Sequence, residues 1–576
     1  MSMAKYAGVK SLEQIRASVE HQDRPLRRSL GAVSLTGLGI GCIIGAGIFV
    51  LTGKAAASYA GPAISLSFIL AGVVCAFVGL CYAELAAMIP VAGSAYTYAY
   101  ATVGEIVAWI IGWDLILEYA MGAATVAVGW SGYLVSLLRS FGVVFPAPWT
   151  GPAGEAVTRA DGATVTAVFN LPAVLIIAAL TVLLMLGTRE STRVNNVMVL
   201  FKLFVVLVVI VVGAFYVSRA HWSPFIPPNT GRFGHFGWTG ILRGASVVFF
   251  AYIGFDAVST AAQEAKAPQR DMPIGILGSL LICTLLYIGM ALVMTGIVPY
   301  PKLAVADPVA VAIDATGIGW LAVLVKFAAL AGLTTVIFVL LFGQARILFS
   351  MARDGLLPPI FSAVHPRFRT PLASQALIGV VTAVVAGVFP IGLLGEMVSI
   401  GTLFAFLLVC LAVIQLRRSR PRAHRPFCTP AVPWVPLLGM GFCLLLMIGL
   451  PLSTWLRLIV WLVIGLAIYF GYGRRHSVVA ATPGRRGGFS RACRSSTKRS
   501  LPQNSRSPTT KLGTPNTPSR IAWCKTRSRA ACVCGSSSAA ENAVWSRPTA
   551  PARATHTARS TAVRSSTKMA RNNARA

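Results

Sequence analysis

A chain of 576 residues with 56% hydrophobic and 12% charged residues and a mean hydropathy of +0.71 is too apolar for a soluble domain and reads as a polytopic membrane protein. Its formal charge of +32 is uneven, because residues 474–576 hold 21 of the 50 Lys and Arg and a single acid, Glu541. Of the eleven cysteines, seven (Cys42, Cys75, Cys81, Cys283, Cys410, Cys428 and Cys443) are scattered along the apolar body and read as small core residues. The Cys532–Cys534 pair is too close and isolated for zinc, so neither a metal nor a cofactor is expected.

Residues 1–30 form a basic lead with Lys5, Lys10, Arg16, Arg24, Arg27 and Arg28, too polar to be a cleavable signal peptide. A first membrane helix is expected over 33–53, inside the stretch GAVSLTGLGIGCIIGAGIFVLTG (31–53), which carries seven glycines. Each interior glycine weakens a helix by about 1 kcal/mol relative to alanine, so a mere anchor would avoid them. The tight cluster Gly45-Ala46-Gly47 offers either an unwound backbone whose N–H groups receive an anion, or a close helix–helix contact. Further helices follow near 62–89 and 103–138, separated by a small-and-aromatic connector from Pro90 to Tyr100 that should hug the protein. After a long polar loop to Asn170, helices are expected near 171–187, 195–217, 240–262, 273–297, 317–350, 373–390, 395–416, 432–450 and 454–472, twelve in all. Beyond Gly473 the composition turns to Arg, Ser, Thr, Ala and Pro, which cannot bury enough apolar surface to fold. A lipid-attracted tail and a nucleic-acid arm are both conceivable there. The absence of clusters and aromatic interleaving favours a segment without selected function, and no nucleic acid is expected as a partner.

Basic residues set the orientation. Arg189/Arg193, Lys266/Arg270, Arg353/Arg367/Arg369 and the Arg417–Arg425 group outweigh Lys54, Arg139, Arg159, Arg219, Arg232, Arg243 and Lys302 on the opposite side. Both termini are therefore expected in the cytoplasm.

Several ionisable groups interrupt the apolar helices. Asp256 follows Gly254 in the sixth, near a second break, where it either serves function or caps freed N–H groups. The first and sixth helices would then be broken at corresponding places of two five-helix halves, the pointer to an inverted-repeat transporter. Lys202 lies about two turns inside the fifth helix, where it either snorkels or is buried as an exchangeable proton carrier. Glu118, four residues after Asp114 on one face of the third helix, is a further buried acid. Glu84, near Pro90, reads as structural. Nothing in the chain has the spacing of a nucleophile–base pair or a phosphate loop preceded by a strand, so the expectation is a transporter and not an enzyme.

Five segments in order, Gly41–Gly53, Cys81–Leu85, Phe249–Thr260, Lys266–Ile276 and Gly343–Pro358, resemble the amino acid–polyamine–organocation superfamily. The likeness is greatest to its cationic amino acid transporter branch and covers about residues 25–473. The resemblance implies an all-α integral membrane protein of LeuT-type architecture: a 5+5 inverted repeat (31–217 and 240–416) plus two C-terminal helices (432–472). It implies a substrate carboxylate on Gly45, Ala46 and Gly47, and a substrate ammonium on carbonyls near Phe250, Ala251 and Ile253. Lys202 matches the helix-5 lysine of proton-coupled members, and acids matching Glu118 and Asp256 recur in the branch. The expectation is a secondary transporter of amino acids, cationic or small neutral, in the plasma membrane. Its partners would be the amino acid, protons and the lipid bilayer; an exchanger or a non-transporting nutrient sensor are the rival readings.

Overall fold

A computed structural model of the chain describes residues 30–478 except 90–93, 159–163, 188–191, 263, 367 and 369. The expected basic lead, the start of the connector at Pro90, Arg159, Arg189, Arg367, Arg369 and all of the tail past Val478 lie outside the described residues. Within it the protein is almost wholly helical. Among the described residues seven helices are long and apolar enough to cross a membrane, and four shorter apolar helices accompany them. Their outward side chains are apolar too: Leu200, Phe204, Leu281, Leu285, Val380 and Val460 are all more than half exposed, as surfaces against lipid are.

Helix α1 (Ala32–Ile43) is followed by a gap and then by a second helical run. That run is π-type at Gly47–Leu51, α at Thr52–Ala55 and π-type again at Ala56–Ala60, so the first segment extends past the expected end at 53. Helix α2 (Ile64–Met88) leads to α3 (Ser94–Thr102), because the small-and-aromatic connector is itself a helix. Its alternation of small and aromatic residues lets it bury Ala95, Tyr98, Ala99 and Tyr100. Next come α4 (Glu105–Ser140), a loop holding an antiparallel pair of strands, β1 (Ala156–Thr158) and β2 (Thr164–Thr166), then α5 (Leu171–Leu186) and α6 (Thr192–Ala214). Helix α5 is started by Pro172 in its first turn and the Asn170 side chain, which accepts from the Ala173 N–H at 3.3 Å, and is stopped by left-handed Gly187.

The second half of the chain contains α7 (Gly237–Val248), α8 (Pro268–Ile297), a short α9 (Pro308–Asp314), α10 (Gly319–Arg353), α11 (Leu372–Val388) and α12 (Ile391–Ser419). The described residues end with α13 (Trp434–Ile448) and α14 (Leu452–Ile468), which runs on helically through His476. Helix α4 packs along α10 and α12, while α8 packs along α1 and α2. The two interrupted helices are thereby held at the centre, among residues that are nearly all buried. Glu84, fully buried at the end of α2, is held by Arg417 (3.0 and 2.8 Å), by Arg425 at 3.3 Å and by the Thr429 N–H at 2.9 Å. Burying a carboxylate is costly unless donors satisfy its oxygens, and these do.

Candidate transport site

The chain leaves α1 at Ile44, whose backbone is extended (φ −71°, ψ 98°), and re-enters helix at Ala46 (φ −59°, ψ −23°). Two half-helix ends therefore face one gap: the carbonyl end of α1 and the N–H end of the run that starts at Gly47. The first N–H groups of a helix have no intrahelical acceptor and carry its positive pole. The glycines on either side of Ala46 serve different purposes. A Cβ on Gly45 would stand 3.1 Å from Val336 Cγ2 of α10, a contact that a side chain can relax. A Cβ on Gly47 would run into Cα and Cβ of Ala251, so Gly47 is where the two interrupted helices touch backbone to backbone.

Helix α7 tightens into a 3₁₀ turn over Phe249–Tyr252 and then breaks at Ile253 (φ −59°, ψ 134°). Gly254 follows at φ 117°, a conformation open essentially to glycine, and a Cβ there would stand 2.8 Å from the Cys42 carbonyl carbon. A second 3₁₀ segment, Asp256–Ala261, continues the span. The Gly254 N–H donates to Asp256 Oδ1 at 3.1 Å, so the acid caps the break that precedes it. Phe250 and Ala251 are buried and Ile253 is partly so.

Tyr287 of α8 connects the two breaks. Its hydroxyl lies 2.8 Å from the Ile43 carbonyl and 2.7 Å from the Ala251 carbonyl. With one proton it donates to one of them at a time.

Lys202 points from α6 into this region and is 1% exposed. Its ammonium donates to the Gly41 carbonyl at 2.8 Å, the Ile44 carbonyl at 3.2 Å and Thr335 Oγ1 at 3.2 Å, and its stem lies against Gly332. The amine thus sits on the negative end of α1 and ties it to α10; it does not snorkel to a surface. The sequence signalled Lys202 by its charge in an apolar run. It gave no signal for Thr335, Val336 or Tyr287, which are ordinary residues of apolar helices until the fold brings them to the breaks.

Glu118 is buried on α4, one turn from Asp114 and beside Asp256 and Thr402. Neither carboxylate oxygen of Asp114 has a hydrogen-bond partner, nor has Glu118 Oε1, and Asp114 lies against Gly401 of α12. The structure therefore brings Gly45, Ala46, Gly47 and Ala251 together at the crossing of the two breaks, with Lys202 behind α1. Glu118 and Asp256 form a separate acidic neighbourhood on the side of the second half of the sixth span. Among the described residues no group of three or more His, Cys, Asp or Glu could hold a metal ion.

Comparison with known proteins shows the family. Residues 30–478 match the model of the amino acid permease family. The methylthioribose transporter of Bacillus subtilis (strain 168) is 47% identical over 462 residues, covering 80% of this chain and 97% of the relative. The branched-chain amino acid permease BcaP of the same organism is 46% identical over 471 residues, covering 81% and 97%. Cationic amino acid transporter 9, chloroplastic, of Arabidopsis thaliana is 41% identical over 399 residues, covering 68% and 67%. With apolar helices traversing the fold, two of them broken at its centre, and a family match over nearly the whole described length, the chain belongs to the amino acid permease family of multi-pass membrane transporters.

Proposed function

We propose that this permease moves amino acids, cationic or small neutral, across the cytoplasmic membrane by alternating access coupled to protons. Twelve spans serve this reading: α1 with its continuation to Ala60, α2, α4, α5, α6, α7 with its continuation to Ala261, α8, α10, α11, α12, α13 and α14. The first five and the next five would be inverted repeats, with the breaks of the first and sixth spans in equivalent positions. The even number of spans and the basic ends of α12 and α14 support cytoplasmic termini.

In this account the substrate carboxylate lies on the N–H groups of Gly45, Ala46 and Gly47, and its ammonium on the carbonyls near Phe250, Ala251 and Ile253. The ammonium would displace the Tyr287 hydroxyl from Ala251, which then turns to Ile43. The observation that carries the coupling is the Lys202 ammonium on the last carbonyls of α1. After losing its proton the amine keeps two donors and loses its charge, so its hold on α1 weakens. That would free the first half of the broken helix to swing, with Glu118 and Asp256 as buried stations for the proton on the same side.

The relatives carry differently named substrates, so the ligand must be found directly. A thermal-shift screen of the purified protein against amino acids, polyamines and methylthioribose identifies the binder, because a ligand of the folded state raises its midpoint. Uptake of that binder into proteoliposomes under an imposed pH gradient then separates the readings. Accumulation driven by the gradient supports proton coupling. Exchange without accumulation identifies an exchanger, and binding without flux a sensor. Stabilisation by methylthioribose alone would overturn the amino-acid reading.

A further inference from the structure

The end of the last helix is fastened to the face assigned above to the cytoplasm by more contacts than a span needs to stop. Along its length α14 is zipped to α4. Trp109 Nε1 donates to the Gly465 carbonyl at 2.9 Å and Trp113 Nε1 to the Trp461 carbonyl at 2.9 Å. Trp461 Nε1 returns a bond to the Trp113 carbonyl at 3.1 Å, and the two indoles stack 4.5 Å apart. Past Ile468 the chain does not leave the protein. Glu105, buried at the start of α4, accepts from Tyr469 at 3.0 Å, from Tyr100 of α3 at 2.9 Å and from Ser477. Burial, and then the Glu105 carboxylate, push the Tyr100 phenol above its ordinary range, so it remains a donor. Ser477 is fully buried, and the Val478 N–H donates to the Asp354 carbonyl at 3.1 Å at the end of α10. The Asp354 side chain in turn accepts from Tyr96 of α3 at 2.7 Å, and left-handed Gly355 packs on the His476 carbonyl.

Helix α3 is therefore gripped from one side by residues 469–478, through Glu105 and Asp354. On its other side it touches the second half of the sixth span. Tyr98 lies beside Ser259 and Asp256, and meets Tyr82 edge to face at 6.4 Å, which meets Phe255 at 5.5 Å. We propose that residues 469–478 form a strap that holds α3 against the second half of the broken sixth span, so that opening toward the cytoplasm depends on whether this strap is seated. Movement of Asp256–Ala261 outward requires α3 to yield, and α3 yields when Ser477 and Val478 let go.

The test is hydrogen exchange by mass spectrometry on the full-length protein, on Ser477→Ala, on a chain ending at Arg475 and on a chain ending at Val478. Loss of one hydrogen bond to a buried carboxylate lowers the local opening energy enough for about tenfold faster exchange. The expected result is that rise in Ser94–Thr102 and Asp256–Ala261 for Ser477→Ala and for the chain ending at Arg475, with Leu171–Leu186 unchanged. The chain ending at Val478 should match the full length. If the chain ending at Arg475 unfolds, Ser477→Ala decides. Unchanged exchange in both segments of Ser477→Ala, or a rise spread equally over Leu171–Leu186, would overturn the strap.

Discussion

Gly45 and Gly47 look alike in the sequence and behave differently in the structure, which decides how an anion site there can be tested. Gly47 faces the Ala251 backbone, so a valine would overpack the contact between the two broken helices, typically at about 1–3 kcal/mol, and confound stability with binding. Gly45 faces only the Val336 side chain, which can give way by a few tenths of an ångström. Gly45→Ala keeps its N–H and is therefore expected to keep its unliganded melting midpoint within about 2 °C, while the added methyl crowds the anion's approach, holds the carboxylate off one N–H and lowers substrate affinity about 10-fold. Thermal titration with the best binder checks this; unchanged affinity would reduce the cluster to a packing contact. The glycines and the mid-span Asp256 made both breaks visible from sequence alone, because flexibility and charge at membrane depth are locally improbable. Tyr287 stayed invisible because its part depends on two carbonyls that are 244 and 36 residues away in the chain.

Hydrophobic periodicity located the helices, and it failed where local patterning does not decide geometry. The π-type runs from Gly47 to Ala60 extend the first span beyond its expected end, since small residues and Lys54 near that end mark no sharp stop. Alternating small and aromatic residues mimic an irregular connector over α3, yet packing of its tyrosines makes it helical. Pairings between elements were equally hidden. Arg243 of α7 bonds Glu396 of α12 at 2.7 Å and the Gly449 carbonyl at 3.0 Å, and its guanidinium lies 5.2 Å from the Tyr59 ring centroid. Glu396 also accepts from Thr454 of α14 at 2.8 Å. On the proposed cycle this knot closes the side opposite the strap. Its groups are only 12% and 13% exposed, so Glu396→Gln should cost about 2 kcal/mol. The expected outcome is a thermal midpoint lowered by a few degrees and a roughly 30-fold shift toward the state open on that side, read by labelling of a cysteine placed at Tyr59. A variant with wild-type midpoint and labelling would show the pair to be screened and idle.

For the whole molecule, composition made the membrane character plain, and the ordered motifs pointed to the permease family, but neither drew the lower boundary correctly in physical terms. A change of composition at Gly473 suggested that the fold ends there, whereas Ser477 and Val478 are engaged with Glu105 and Asp354. Residues rich in Ser and Arg can belong to a fold when a buried acceptor awaits them. The cut that spares transport is accordingly after Val478: a chain ending there should give uptake equal to full length at equal surface expression. A marked loss would assign a role to residues 479–576. The central claim, however, is that a proton on Lys202 governs the hold on α1. Arginine would keep the positive charge on those carbonyls, but it cannot release its proton in a protein. The decisive measurement is uptake of the best-binding amino acid into proteoliposomes as a function of external pH, for wild type and Lys202→Arg. The account predicts that Lys202→Arg loses pH-driven accumulation while still binding substrate; accumulation with the wild-type pH dependence would contradict it.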